Sequence, residues 1–162
     1  MQFYDEGLDS TYESYKNNEI DLFVERLVLF REGRLPELTE LAQKSVSFKR
    51  LHFLKQPITK YLEYEYYTYL ISSSLGEQIV VNNIDVVISK DNIGDFLLFD
   101  DKCAFIHDYD SNGIYKGAWV LQEDKKDLIK EMCDWYDLQF SVATDFKGLF
   151  KPDQSIVDRI LL

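Results

Sequence analysis

The segment richest in reactive side chains is GDFLLFDDKCAFIHDYDSNGIYKG, in the second half of the chain. Within it, Asp108, Asp110 and Asn112 alternate and Gly113 follows, which matches the first half of a calcium-binding EF-hand loop. The position of the bidentate glutamate is Trp119, however, and the flanking residues are typical of strands. Asp and Asn side chains bond nearby backbone amides and glycine accepts a positive φ, so the same residues predict a hairpin turn. We favour the turn.

A second carboxylate pattern is Asp100-Asp101-Lys102, preceded by Asp85 or Asp95. It can be aligned with a D…D-x-K nuclease motif, in which two carboxylates hold a metal ion and the lysine supports the attacking water. That chemistry requires the acid and the lysine to lie two residues apart on one strand. The sequence here is typical of a turn, which argues against a nuclease.

The remaining catalytic residue types also favour structural roles. His107 and Asp108 are neighbours on a predicted strand and would point to opposite faces, so they cannot pair with each other as acid and base. A structural role is likewise predicted for His52. Cys103 and Cys133 lack C-x-x-C spacing, which disfavours a disulfide framework or a zinc site. Because the sequence also lacks a glycine-rich phosphate loop and a G-x-S-x-G motif, we expect no catalytic residues, no metal and no cofactor.

A predicted helix near the middle of the chain carries five tyrosines in nine residues. They are Tyr61, Tyr64, Tyr66, Tyr67 and Tyr69. One interpretation makes them stacking platforms for bases or sugars. Because they point around the whole helix, we expect most of them to pack the helix onto a sheet, with only a subset able to share one ligand.

A pocket between this helix and the sheet is the ligand-binding alternative. Its candidate residues are Tyr61, Glu65, Asp95, Asp100 and His107. Such a pocket requires the helix to bring Glu65 up against Asp95 and Asp100. If these side chains are dispersed, the hypothesis of a small enzyme or ligand-binding domain loses its support.

The elements that position these residues follow from periodicity and turn chemistry. The stretch Gly94–Gly117 and the residues just after it predict three short strands, at 95–99, 103–109 and 114–121, joined by turns at DDK and DSNG. Strands joined so tightly must be antiparallel neighbours, so a meander is expected.

Other elements are predicted along the rest of the chain. They are a helix from about Asn18 that Gly33 ends, a shorter helix restarting at Pro36, a strand at 46–54, a helix from Thr59 to Leu75-Gly76, and a helix at 123–142. The run EQIVVNNIDVVIS predicts either two strands with an asparagine turn or one strand with an irregular middle. The first two helices resemble a helix-turn-helix, but Glu37 and Glu40 argue against a groove-reading helix.

Together these elements predict an α+β fold. We expect a mostly antiparallel meander sheet of about five strands packed by helices, with an N-terminal helical pair and a C-terminal helix. A single domain is expected over residues 1–145, with helices in 1–45 and a sheet and helix core in 46–145. Residues 146–162 form a tail whose short helix docks on this domain or on another chain, and the second option would make it an oligomerisation helix.

The net charge of −11 comes from 18 basic and 29 acidic residues, with the excess in residues 1–45 and 95–145 around a balanced middle. Binding to nucleic-acid phosphates relies on lysine and arginine, so direct nucleic-acid binding is disfavoured. A basic protein partner is favoured, with a DNA-binding protein as the first candidate. A sharper version is a DNA mimic that blocks a nucleic-acid enzyme, which requires the carboxylates to share one face.

The sequence also bears on location. It contains no run near 18 apolar residues, and its first residues, MQFYDEGLDS, are acidic where a secretory signal would be basic and then apolar. We therefore expect a cytoplasmic protein that does not associate with membranes. The favoured hypothesis is a non-enzymatic interaction protein.

The order of motifs resembles an uncharacterised bacterial family known only as a domain of unknown function. The family pattern runs from a P-x-T-x-Y helix with a glutamate, through GE, DFWLFD and YDxDG, to an alanine late in the last helix. The matching residues are Pro57, Thr59, Tyr61, Glu65, Gly76, Glu77, Asp95, Phe96, Phe99, Asp100, Tyr109, Asp110 and Gly113.

This resemblance covers residues 12–146 and departs at Leu97, where the family has tryptophan. It implies a compact α+β domain with a regulatory or accessory role. The family is best populated in actinomycetes and is often encoded near helix-turn-helix regulators.

Overall fold

The computed structural model describes residues 10–54, 56–83, 95–110 and 115–162. Its helices are α1 (Ser10–Lys16), α2 (Ile20–Gln43), α3 (Lys60–Ser74), α4 (Lys126–Val142) and α5 (Gln154–Leu161). Its strands are β1 (Lys49–Leu54), β2 (Gln78–Asn83), β3 (Phe96–Phe99), β4 (Cys103–Tyr109), β5 (Tyr115–Leu121) and β6 (Thr144–Asp145). The predicted α+β class is confirmed, with helices before the first strand and a helix at the C-terminal end.

The described strands form two sheets, where the sequence predicted a single sheet of about five strands. The first sheet has the order β1-β2-β6 and the second has the order β3-β4-β5. The second sheet is the predicted antiparallel meander. In the first, β1 and β2 run parallel, because α3 connects them and returns the chain to the same end of the sheet.

Helix α2 runs without interruption through Gly33 and Pro36, so the predicted helix break is wrong and no helix-turn-helix forms there. Glycine costs about 1 kcal/mol relative to alanine inside a helix, and proline removes one backbone hydrogen bond. Packing on both sides of Gly33 and Pro36 outweighs these costs. Leu27 is buried before it and Leu38 after it.

Helix α3 begins and ends as predicted. The Thr59 side chain caps its first turn by accepting a hydrogen bond from the Leu62 amide at 3.2 Å. At the other end, Gly76 takes a left-handed φ of 107°, which redirects the chain into β2. Both signals are local, which is why the sequence alone identified them.

The C-terminal helix α5 packs on this same chain. Ile156 and Ile160 are buried in a cluster with residues of α1, α2 and α3. At the surface, Arg159 Nη2 lies 3.0 Å from Asp21 Oδ1 of α2. The apolar face that could have served an oligomerisation helix is therefore already covered within this chain.

Helix α4 connects the two sheets. Ile129 and Met132 are buried against Ala104 on the second sheet. The Trp135 ring contacts Phe53 of β1 at 5.5 Å and Phe96 of β3 at 6.0 Å between ring centroids. One face of α4 thus packs against both sheets.

The predicted turn after β3 is present. Asp100 has a φ of 52°, and the Lys102 amide donates to the Phe99 carbonyl at 3.2 Å. Residues 111–113 of the predicted DSNG turn, which spans 110–113, lie outside the described residues. So do residues 84–89 of the EQIVVNNIDVVIS run, which spans 77–89.

Candidate functional site

The tyrosines of α3 are mostly core residues, as predicted. Tyr64, Tyr66, Tyr67 and Tyr69 are each at most 8% exposed. Tyr64 and Tyr67 pack with α1, α2 and α5, whereas Tyr66 and Tyr69 pack against the first sheet. Because both sides of α3 are covered, these rings do not form a stacking platform.

The five residues of the hypothetical pocket lie in different places. Tyr61 packs against Tyr12 of α1, with 5.2 Å between ring centroids. Glu65 faces β1, whereas Asp95 and Asp100 flank β3 and His107 lies on β4 of the second sheet. The Asp95 carbonyl accepts a hydrogen bond from the His107 amide at 2.8 Å, and Asp100 sits in the turn at the other end of β3.

The neighbour of Glu65 is His52, which the sequence assigned a structural role. Glu65 Oε2 lies 4.0 Å from His52 Nδ1, and the Tyr69 hydroxyl lies 2.5 Å from the same nitrogen. Burial and the nearby Arg50 lower the pKa of His52 to about 4. Burial raises the pKa of Tyr69 well above its usual value. At neutral pH a protonated phenol therefore meets a neutral imidazole, so Tyr69 can donate to Nδ1.

A buried carboxylate lies beside this pair; the sequence identified it only as part of the GE motif and did not predict its burial. Glu77 follows the glycine that ends α3, and its side chain is fully buried. Arg50 Nε donates to Glu77 Oε1 at 2.7 Å, and Arg34 Nη2 donates to Oε2 at 3.0 Å. Arg50 also lies over the Tyr69 ring, 5.4 Å from its centroid.

These contacts describe a structural ion cluster, which we define as Arg34, Arg50 and Glu77. It ties α2, β1 and the turn between α3 and β2 to one carboxylate. A buried carboxylate is tolerated when it is paired and hydrogen-bonded, and here both oxygens are occupied. The sequence does contain a signal for such a residue: Glu77 is a charged residue between the glycine that ends α3 and the apolar strand β2.

The second sheet presents a different kind of surface. Cross-strand register places Leu97, Phe105 and Val120 opposite one another, on the face away from α4. We call this the outer face; its residues are Leu97, Phe99, Phe105, His107, Tyr115 and Val120. Ring contacts of 5.4 Å for Phe99 with Phe105 and 5.6 Å for His107 with Tyr115 join its members.

Much of the outer face is accessible. Leu97 is 44% exposed, Phe99 51%, Tyr115 54% and Val120 47%. Contiguous exposed apolar side chains on a folded domain commonly mark a binding surface. The carboxylate motifs that suggested calcium or nuclease chemistry thus lie around an apolar surface.

Acidic residues lie at both ends of the second sheet. One end carries Asp100 and Asp101 in the turn after β3, together with Glu123 and Asp124 after β5. The turn after β3 and the segment after β5 lie at the same end of the sheet. The reason is that β3 and β4 are antiparallel neighbours, and Ala104 near the start of β4 pairs with Leu121 at the end of β5.

The opposite end of the sheet carries Asp95, Asp108 and Asp110. Lysines lie near three of these carboxylates: Lys102 is 3.8 Å from Asp100, Lys125 is 3.9 Å from Asp124 and Lys116 is 3.5 Å from Asp110. With Lys126 included, the first end has four carboxylates and three lysines, and the opposite end has three carboxylates and one lysine, so both ends keep a net negative charge.

The described part of the chain offers neither a metal site nor a membrane-spanning helix. There, no group of three or more His, Cys, Asp or Glu side chains is arranged to hold a metal ion. None of the described helices has the length and apolar character needed to cross a membrane.

Comparison with known proteins gives a family match. Residues 2–150 match the model of a family described as a domain of unknown function, DUF6879. No curated protein and no solved structure matches the chain. The expectation of an uncharacterised domain family is confirmed at that level.

Proposed function

The chain belongs to the DUF6879 family, and we propose that it is an acidic interaction protein that binds a basic protein partner. The observation that carries this proposal is the exposed apolar outer face between two acidic ends. Apolar side chains of a partner would pack on Leu97, Phe99 and Val120, while its lysines and arginines would lie near the carboxylates. The protein would act in the cytoplasm as a regulatory accessory subunit.

A DNA-binding regulator is the first candidate partner. The motif resemblance supports this choice, because the family it points to is often encoded near helix-turn-helix regulators. DNA-binding proteins also carry the basic surface that an acidic protein of net charge −11 would attract.

A DNA mimic is a narrower form of the same proposal. On α4, Asp127, Glu131 and Asp134 are exposed and have the spacing of one helical stripe. Lys130 Nζ lies 2.7 Å from Asp134 Oδ2 and reduces the charge of that stripe. If the protein is a mimic, duplex DNA will compete with it for the partner; if it binds the partner elsewhere, DNA will not compete.

The test is capture of partner proteins from the cell of origin on the immobilised full chain, followed by calorimetry with the purified partner. We expect a basic protein that is retained at about 0.1 M salt and lost near 1 M, because salt screens charge pairs at the surface. The double variant Leu97→Thr/Val120→Thr should lose the partner. It retains strand-compatible residues but removes apolar surface.

The matched control is Leu29→Gln on α2, an exposed leucine distant from the second sheet in sequence, with 59% exposure. This control should bind the partner as the unmodified chain does. Recovery of no protein, or equal binding by the double variant and the control, would overturn the proposal.

A further inference from the structure

Among the described strands, β5 lies at one edge of its sheet, and it has side chains exposed on both of its faces. It ends the described sheet β3-β4-β5. Val120 on the outer face is 47% exposed, and Trp119, which pairs with Ile106 and so faces the α4 side, is 68% exposed. The opposite edge, β3, has only four residues, and Phe96 and Leu98 on it pack with the α4 cluster.

Edge strands are usually protected from pairing with other chains. The first half of β5 has such protection: it contains Lys116, and Gly117 has a φ of 149° beside an irregular register at Asp108 and Tyr109. The second half, Ala118–Leu121, contains no charge, proline or glycine. This half is therefore a regular, apolar part of the edge strand that lacks the protective features of the first half.

The charges around β5 restrict what could pair with it. Glu123 and Asp124 follow its C-terminal end, where Lys125 lies 3.9 Å from Asp124. Asp108 and Asp110 lie near its N-terminal end, where Lys116 lies 3.5 Å from Asp110, so each end keeps more carboxylates than paired lysines. Antiparallel pairing with a second copy would bring acidic ends together and is disfavoured. A strand with basic residues at its ends would meet opposite charges.

We propose that β5 binds an extended basic segment of the partner as a fourth strand of the second sheet. This inference rests on the proposed function and specifies the mode of recognition. Backbone hydrogen bonds to the edge would supply affinity, and alternate side chains would pack on Trp119 and Val120. A seven-residue strand spans about 24 Å, so the segment has a short apolar centre and Lys or Arg at both ends.

The probe is a set of synthetic peptides with Lys-Arg at each end and central positions drawn from Val, Ile, Thr and Tyr, tested on the full chain. Binding should shift the fluorescence of Trp119 to shorter wavelength as its ring is covered. Trp119→Phe should remove that change and leave the signal of Trp135. Amide exchange in 118–121 should slow by at least tenfold when the tightest peptide is bound.

Two N-methylated forms of the tightest peptide distinguish strand addition from side-chain contact. One form is methylated at the odd-numbered amides and the other at the even-numbered amides. In an added strand, only one of these two sets of amides donates hydrogen bonds to the edge. One form should therefore bind at least tenfold more weakly than the other. A matched set with Glu-Asp ends should not bind.

Equal binding by the two methylated forms overturns strand addition, as does failure of the whole basic peptide set. Concentration-dependent dimerisation through β5 would also overturn it. If the peptides fail while the captured partner still depends on Leu97 and Val120, only this inference fails. If no basic partner binds at all, the proposed function fails as well.

Discussion

The two sheets in the described part of the chain contain similar apolar residues but differ in how these residues are covered. In the first sheet, the apolar residues are buried under α3, and a buried carboxylate is paired with two guanidinium groups. In the second, α4 covers one face and the outer face remains exposed. The first arrangement stabilises the fold, and the second leaves apolar surface accessible at an energetic cost that binding to a partner can offset.

The first of the two largest expected effects concerns the ion cluster beneath the first sheet. Glu77→Ala removes the carboxylate that Arg34 and Arg50 share and should lower the free energy of unfolding by about 3 kcal/mol, the low end for breaking a buried ion pair, because Arg34 keeps Glu37 and Arg50 is 41% exposed. Urea denaturation monitored by circular dichroism would measure the change.

The matched control for this variant removes an exposed partner of the same arginine. Glu37 Oε2 lies 2.6 Å from Arg34 Nη1 and its side chain is 53% exposed. Glu37→Ala should cost about 0–1 kcal/mol. Similar losses in the two variants would show that the cluster does not hold the first sheet together in the way we describe.

An effect of similar size concerns the C-terminal helix. Ile160 is fully buried in the cluster of α1, α2, α3 and α5, so Ile160→Ala should destabilise the fold by about 2–5 kcal/mol. Its neighbour Leu161 is 37% exposed, and Leu161→Ala should cost under about 1 kcal/mol. If Ile160→Ala instead leaves stability unchanged, α5 does not dock on this chain.

The third effect is a pH dependence of stability from His52. Its pKa is about 4 in the folded chain and 6.5 when unperturbed. Between these values the unfolded chain binds more protons, so stability is fully present above pH 6.5 and falls as the pH is lowered toward 4. The slope approaches about 1.4 kcal/mol per pH unit for one proton.

Urea denaturation at pH 6.5 and 5 would measure that slope, above the range in which most carboxylates titrate. The variant His52→Gln removes the titrating group and should flatten the slope over this interval. An equal slope in the variant would mean that other groups cause the pH dependence.

Local features of the fold were predictable because their causes are local. The Thr59 cap, the Gly76 stop and the Asp100 turn each depend on a few adjacent residues. The continuity of α2 was not predictable in this way. It depends on packing on both sides of Gly33 and Pro36: Leu38 is buried after them, and Leu27 is buried before them in a cluster with Ile156 and Ile160, which are far away in sequence.

The candidate site was harder to predict for the same reason. Glu77 is bonded to arginines 43 and 27 residues away, and the sequence gives no direct sign of those partners. In β3, the sequence FLLF is apolar on both faces, so it does not tell which face α4 covers. The pattern does indicate that any uncovered face will be apolar.

The smallest expected effect on stability is at the outer face, and it compares one substitution in both sheets. Val81→Thr on β2 places a hydroxyl at a site that is 2% exposed and should cost about 1–3 kcal/mol. Val120→Thr on β5, at 47% exposure, should change stability by no more than about 0.5 kcal/mol. Thermal unfolding of both variants would measure the difference.

Binding should follow the opposite order. Val120→Thr removes apolar surface from the outer face and should weaken partner binding, whereas Val81→Thr should leave the affinity of the folded fraction unchanged. The comparison between the sheets therefore predicts that the same substitution, valine to threonine, lowers mainly stability at Val81 and mainly partner affinity at Val120. If Val120→Thr destabilises the fold as much as Val81→Thr does, the outer face is packed in the folded protein and is not a free binding surface.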